Sequence, residues 1–181
     1  MTTEFVVRSA GRSDAQAIAD VSVASRRWSY RDLLLEGADL DLLSVDEATA
    51  VFVRGLAELP PSSALFVAEQ EGRIVGYSYV EPSPDVDVPA GTSELGSIYV
   101  TEDVAGTGAA QALMDAAVGH ARAAGQALLT LWVRRENGRA RRFYEKYGLR
   151  PDGGERSGPW VVLPITIVHE IRYRMSLEQR S

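Results

Sequence analysis

The chain has 181 residues and no cysteine. Disulfides, thiolate metal sites and a cysteine nucleophile are therefore excluded. Histidine is nearly as scarce. His120 and His169 stand far apart, and a zinc site would need a further strong ligand beside them, so no metal is expected. No apolar run reaches the roughly 18 residues of a membrane-spanning helix, so no transmembrane segment is expected. The opening Met1-Thr2-Thr3-Glu4-Phe5 lacks a basic segment followed by an apolar one. That argues against a signal peptide and for a cytoplasmic protein with no membrane partner. Positive charge is also short: 19 Lys and Arg stand against 25 Asp and Glu, a formal net charge of −6. Such a chain gains nothing from counterion release, so nucleic acid is not an expected partner.

What is present reads as one soluble domain over residues 1–181, with 45% hydrophobic and 24% charged residues. No repeat, linker or low-complexity segment divides it. Phe5-Val6-Val7-Arg8 reads as a first strand. Ser13 and Asp14 are good N-caps for a helix in which Ala17, Val21, Ala24 and Trp28 recur at helical spacing. A second helix runs from about Val45 to Leu59, capped by Ser44 and stopped by Pro60-Pro61. Residues 64–68 and 74–80 form a hairpin about Glu71-Gly72-Arg73. A loop marked by Pro82, Pro84, Pro89 and Gly91 precedes a strand from Leu95 to Val100.

A helix then follows in which Ala109, Leu113, Ala116, His120 and Ala124 share one face. Residues 127–133 form a nearly continuous apolar run, as expected of a central strand. Asn137 to Tyr147 is helical and ends at Gly148. Val161-Val162-Leu163 and residues 166–177 read as closing strands.

The stretch Ala105-Gly106-Thr107-Gly108-Ala109-Ala110 opens the third of these helices. Small residues let a ligand approach the backbone, and a helix N-terminus favours an anion. A nucleotide-triphosphate loop would need Gly-Lys-Ser/Thr, which the sequence lacks. A dinucleotide fingerprint would need a small residue at Gln111 and a place after the first strand. The pyrophosphate of coenzyme A remains, against a plain tight turn with close helix packing.

A second constellation, Asn137-x-x-Ala140-x-x-Phe143-Tyr144-x-Lys146-x-Gly148, follows one strand later. With Ile98-Tyr99-Val100 and Gly108-x-Ala110 before it, the order of motifs resembles the GCN5-related N-acetyltransferase (GNAT) family. The hairpin FVAEQEGRIVGYSYV also resembles the family's second and third strands. The resemblance covers nearly the whole chain and is strongest from about Ala64 to Pro151. It implies an α/β (α+β) acyl-CoA N-acyltransferase fold. That fold has a mixed, mostly antiparallel twisted sheet, helices on both faces and a splayed parallel strand pair at the cofactor. Ala105 departs from the family's Arg or Gln, which implies weaker coenzyme binding or compensation by another cation.

The resemblance implies acetyl-CoA as cosubstrate and a primary amine as acceptor, with direct transfer in a ternary complex. An alkylamine has a pKa of about 10.4, so a base assists. The oxyanion needs a donor and the thiolate an acid. Tyr144 matches the family's general acid, although Ala140, Phe143, Tyr144 and Tyr147 also read as a core stripe. Glu94 is the candidate base, set against a solvated strand-end carboxylate, with Glu81 in reserve. The resemblance assigns coenzyme binding to Ile98, Tyr99, Val100, Ala105, Gly106, Thr107, Gly108, Ala109, Ala110 and Asn137. Asn137 also reads as a helix cap.

His169 is favoured as structural, and Arg141-Arg142 as a solvated helix face. The acceptor is expected among the first two helices and the loops 81–93 and 153–164. Arg26-Arg27-Trp28-Ser29-Tyr30-Arg31 resembles a segment of many small-molecule members, and Trp28 reads either as pocket wall or as helix packing. A non-catalytic acyl-CoA sensor is the alternative, and a dinucleotide-binding domain a distant third. A homodimer accords with family habit, although the sequence does not show one.

Overall fold

A computed structural model describes residues 5–33, 38–160 and 163–178. Met1–Glu4 and the expected strand residues Val161 and Val162 lie outside them. The chain runs β1 (Val6–Ser9), α1 (Ala15–Tyr30), α2 (Ala38–Asp41), α3 (Val45–Ala57), β2 (Ala64–Gln70), β3 (Arg73–Pro82) and β4 (Thr92–Val100). It continues with α4 (Ala109–Ala123), β5 (Leu128–Arg134), α5 (Gly138–Tyr147), β6 (Arg150–Trp160) and β7 (Leu163–Ser176). The seven strands form one sheet in the order β1-β2-β3-β4-β5-β7-β6. Every neighbouring pair is antiparallel except β4 and β5. The mixed, mostly antiparallel architecture agrees with the expected fold class. Among the described residues, no helix is long and apolar enough to cross a membrane.

The helices divide between the two faces. Ile18 and Val21 of α1 pack with Leu65, Val67 and Tyr77 on one face, joined by Phe52 and Leu56 of α3. Leu113 of α4 packs with Ala68 and Val75 on the other, where Met114, Ala117 and Tyr144 meet Leu129, Leu131 and Val133. A fully buried Leu such as Leu113 contributes about 1.5–3 kcal/mol. Gly76 lets α4 sit this close. A Cβ there would fall 2.9 Å from Leu113 Cδ1 and from the Tyr99 carbonyl.

Three expectations are corrected. In α1 the exposed Ala24 breaks the expected stripe, and Ser22 and Ser25 are buried instead. Their hydroxyls are satisfied internally: Ser25 Oγ donates to the Val100 carbonyl (2.8 Å), and Tyr77 Oη donates to Ser22 Oγ (3.2 Å). In α4, Ala124 is exposed and Ala116 and His120 are half-buried, while Met114, Ala117, Val118 and Ala121 fill the core. The third concerns residues 153–160, read as loop but lying in β6. As the outermost strand, β6 tolerates Pro151 and Pro159 because its outer edge needs no ladder bonds. Register shifts between Pro151 and Glu155 and between Pro159 and Trp160 absorb the irregular sequence.

Candidate active site

The parallel β4–β5 pair is short. Thr92, Ser93 and Glu94 pair with Leu128, Leu129 and Thr130, and pairing then stops. From Leu95 onward β4 is held only by β3, so the strands splay. Thr101 N–H donates to the Val75 carbonyl at 2.9 Å. Strand alternation then turns the backbone groups of Ile98 and Val100 toward the open edge and those of Tyr99 toward β3. The Val100 carbonyl is met by Ser25 Oγ.

Beyond β4 a single 3-10 turn, Glu102–Val104, leads into the glycine loop. Gly106 (φ 79°) and Gly108 (φ 109°) adopt left-handed conformations that favour glycine. Thr107 Oγ1 donates to the Val104 carbonyl at 2.7 Å and ties the loop back on itself. Gly108 caps α4, and Ala112 N–H donates to the Gly108 carbonyl at 3.0 Å. The amides of Ala109, Ala110 and Gln111 thus precede the helical ladder and have no intrahelical acceptor. A Cβ at Gly106 or Gly108 would meet nothing within 4 Å. Ala109 is fully buried, whereas Ala110 and Gln111 reach the surface; a helix N-terminus with such amides fits a pyrophosphate such as that of coenzyme A.

Across the splay, Asn137 Oδ1 accepts from Ala140 N–H at 3.1 Å and caps α5. Gly148 ends that helix at φ 120°. Asn137 and Tyr144 both line a cavity of about 1100 Å³. Tyr144 is 8% exposed and belongs to the core as well, with ring contacts to Phe143 and Tyr173. Core and cavity are therefore two sides of one residue. Burial, and then the neighbouring Tyr99, push its phenol pKa upward, so the hydroxyl keeps its proton.

The opposite wall of the cavity is a sheet face. Tyr77, Tyr79 and Glu81 of β3 pair with Tyr99, Ser97 and Glu94 of β4. A bulge in β4 at Gly96 interrupts this register, and bulges commonly re-aim side chains beside active sites. A Cβ at Gly96 would crowd Tyr79 Cδ1 at 3.2 Å. Glu94 is only 7% exposed, and its Oε2 is buried with no hydrogen-bond partner. Burial first, then the charge of Asp85, raises its pKa to about 7, with Arg156 opposing. Glu81 lines the same cavity and accepts from Tyr79 Oη at 2.9 Å.

The cavity also gathers Arg26, Trp28 and Tyr30 from α1, Trp132 and Arg134 from β5, and Arg156 and Trp160 from β6. Trp28 serves as wall, with the Arg139 guanidinium stacked 3.7 Å from its ring centre and Arg139 Nη2 donating to Ser29 Oγ. Arg31 lies outside, 3.5 Å from Glu102. His169 is exposed on β7, with Nδ1 2.7 Å from Ser157 Oγ, and does not line the cavity. Arg141 and Arg142 do not line it either; Arg141 Nε donates to Tyr173 Oη.

Of residues 81–93 only Glu81 lines the cavity. Asp85 and Asp87 are drawn away to Arg172, at 2.9 and 2.7 Å. Arg134 and Trp160 were not singled out from the sequence. The available signal was the charge at the end of an apolar strand, two residues after Trp132 and hence on its face.

Comparison with known proteins is consistent with this geometry. The model of the Acetyltransferase (GNAT) family matches residues 30–149. Two relatives, described as uncharacterized N-acetyltransferases of Mycobacterium bovis and Mycobacterium tuberculosis, are each 39% identical over 93 residues. That match spans 51% of this chain and 56% of each relative. The fold is similar to that of the PaiA N-acetyltransferase of Thermoplasma acidophilum, solved with coenzyme A. There the TM-score is 0.70 and the identity 16%, over 96% of this chain and 99% of that one. It is also similar to YncA of Salmonella typhimurium, solved with acetyl-CoA, with a TM-score of 0.66 and 17% identity over 98% and 96% of the two chains.

Proposed function

Because the chain belongs to the GNAT acetyltransferase family, we propose that it is an acetyl-CoA-dependent N-acetyltransferase for the primary amine of a small molecule. The observation that carries this reading is Glu94, a buried, unpartnered carboxylate facing the same cavity as the glycine loop and Tyr144. Two structures of similar fold were solved with coenzyme A or acetyl-CoA, which supports the cosubstrate. The loop amides from Gly106 to Ala110 hold the pyrophosphate, apart from Thr107 N–H, which donates to the Val104 carbonyl, and Asn137 and the outward backbone groups of Ile98 and Val100 hold the pantetheine arm.

Glu94, poised near neutrality, takes the proton that the acceptor ammonium must lose. The amine nitrogen then bonds to the acetyl carbon, and the carbon–sulfur bond breaks in the same ternary complex. Tyr144, kept protonated by burial, donates its proton to the departing sulfur and regains one from the acylated nitrogen, which must shed its second proton to become the amide. The absence of cysteine rules out an acetyl-cysteine route. A cavity walled by the aromatic side chains of Trp28, Tyr30 and Trp160 suits a small acceptor.

The test is thermal unfolding with acetyl-CoA, with NADH and ATP as controls, followed by thiol release across a panel of amines. Ligand at about 100 times its dissociation constant adds about 2.7 kcal/mol of stability. A shift with acetyl-CoA alone, together with turnover of an amine, is expected. Binding without turnover of any amine would turn the assignment into a coenzyme sensor, and no shift would remove it.

A further inference from the structure

The acceptor end of the cavity contains a buried cation without a counter-ion. Arg134, at the end of β5, is 6% exposed, and its Nη2 is shielded from solvent with no hydrogen-bond partner. Its guanidinium lies 4.5 Å from the Tyr30 ring centre and 4.1 Å from that of Trp160. The two rings hold the group in place, but they leave its in-plane N–H donors unmet. Glu170, its register partner on β7, is committed to Arg156 Nε at 2.7 Å. Among the described residues, no carboxylate forms an ion pair with Arg134.

Arg26 is a second stacked cation, but a partly satisfied one. It lies 4.3 Å from the Tyr99 ring centre, donates through Nη1 to the Ser22 carbonyl and Tyr77 Oη, and leaves only a buried Nε unpartnered. The Tyr30 and Tyr99 hydroxyls, 3.2 Å apart, join the two stacks. A buried guanidinium normally pairs with a carboxylate or phosphate, because an uncompensated one is strongly unfavourable. Arg134 lines the cavity, and among the described residues no hydrogen bond or ion pair takes up its donors.

We infer that Arg134 anchors an anionic group of the acceptor, so that the amine acetylated here belongs to a small amino carboxylate. The inference rests on the acetyltransferase reading above and names its substrate class. The cavity is charged to match such a zwitterion. Glu94 and Glu81, paired across β4 and β3, offer carboxylates to the ammonium, and Arg134 offers its guanidinium to the carboxylate. Glu94 lies beside Thr130 in the register, four residues before Arg134 on the same strand face. That separates the two Cα levels by about 13 Å, a gap that the Glu and Arg side chains shorten from both ends. The planar, bidentate donor pattern of a guanidinium matches a carboxylate.

The experiment compares thiol release from acetyl-CoA with α-, β- and γ-amino carboxylates against their matched amides and decarboxylated amines. The expected result is at least 10-fold higher kcat/KM for one length of amino carboxylate than for its amide. In Arg134→Met, that preference should fall to near unity, mainly through KM. The acetyl-CoA affinity of the same variant, read by calorimetry, should stay within about twofold, and its melting temperature should not fall. Arg134→Lys should recover part of the preference and serves if the methionine variant does not fold.

Amines turned over equally with and without a carboxylate would overturn the inference while leaving the acetyltransferase assignment standing. A large loss of acetyl-CoA affinity in Arg134→Met would also overturn it, because Arg134 would then serve the coenzyme. If no amine is turned over although acetyl-CoA binds, the assignment and the inference fall together.

Discussion

At one end of the cavity lie Ala105 and Gly106 of the glycine loop and Ala110 of the first turn of α4, which offer backbone. At the other, Glu94, Arg134, Tyr30 and Trp160 present side chains drawn from β4, β5, α1 and β6. The first end depends on φ angles and on the absence of bulk. It can therefore carry a small side chain, as at Ala105, without changing its backbone. The second depends on charge, burial and missing partners, so one atom changed there alters it. The two ends should consequently fail in different ways.

The largest effect is expected at the backbone end. Gly108→Trp places a bulky side chain on a residue at φ 109° and in front of the loop amides. Acetyl-CoA binding, measured by calorimetry on folded variant, should fall by more than about 100-fold. Unchanged affinity would show that the loop does not hold the coenzyme.

Next comes Glu94→Gln, with turnover reduced about 10²–10³-fold and coenzyme affinity retained. The wild-type kcat/KM should rise with pH through about 7, as Glu94 loses its proton, and the variant should lack that limb. Stability carries the opposite sign. The folded state raises the Glu94 pKa from its ordinary 4.5 to about 7. The folded protein therefore binds the extra proton, and the associated stability is complete below about pH 4.5 and lost as pH rises through about 7. On the order of 2 kcal/mol is at stake. Chemical denaturation at pH 5 and pH 8 should show this loss in the wild type and little of it in Glu94→Gln. A flat wild-type profile would place Glu94 in a wetter setting than its burial indicates.

Tyr144→Phe should lower turnover about 10–100-fold, with acetyl-CoA affinity changed less than twofold. A wild-type rate would leave Tyr144 a core residue only. The smallest effect is expected from Ala105→Arg, a gain of several-fold in acetyl-CoA affinity by added charge at the pyrophosphate. No gain in a titration would mean that Arg139, which lines the same cavity, already fills that role.

Local patterns were legible wherever neighbours in sequence are neighbours in space. The β2–β3 hairpin, the Ser44 cap accepting from Glu47 N–H and the Asn137 and Gly148 ends of α5 all follow from short-range rules. The buried face of α1 was misplaced because Ser22 and Ser25 count as polar in any pattern. Their hydroxyls are buried only because Tyr77 and the Val100 carbonyl lie across from them. Strand β6 was unreadable for a related reason. RPDGGERSGPW has no strand pattern of its own and is extended because β7 supplies its partner. Within the candidate site, the glycine loop and the Asn137–Tyr144 helix stood out as motifs. Arg134 and Trp160 did not, since nothing near either residue in the chain predicts the other.

By itself, the sequence determined the family, the exclusion of cysteine chemistry and the placing of a glycine loop at the start of α4. Each of these depends on residue type at short spacing. Only the tertiary structure decided that Glu94 is buried without a partner and that Arg134 rests against both Tyr30 and Trp160. Burial and the absence of a counter-charge are properties of what lies opposite in space, and four separate elements had to meet before either existed.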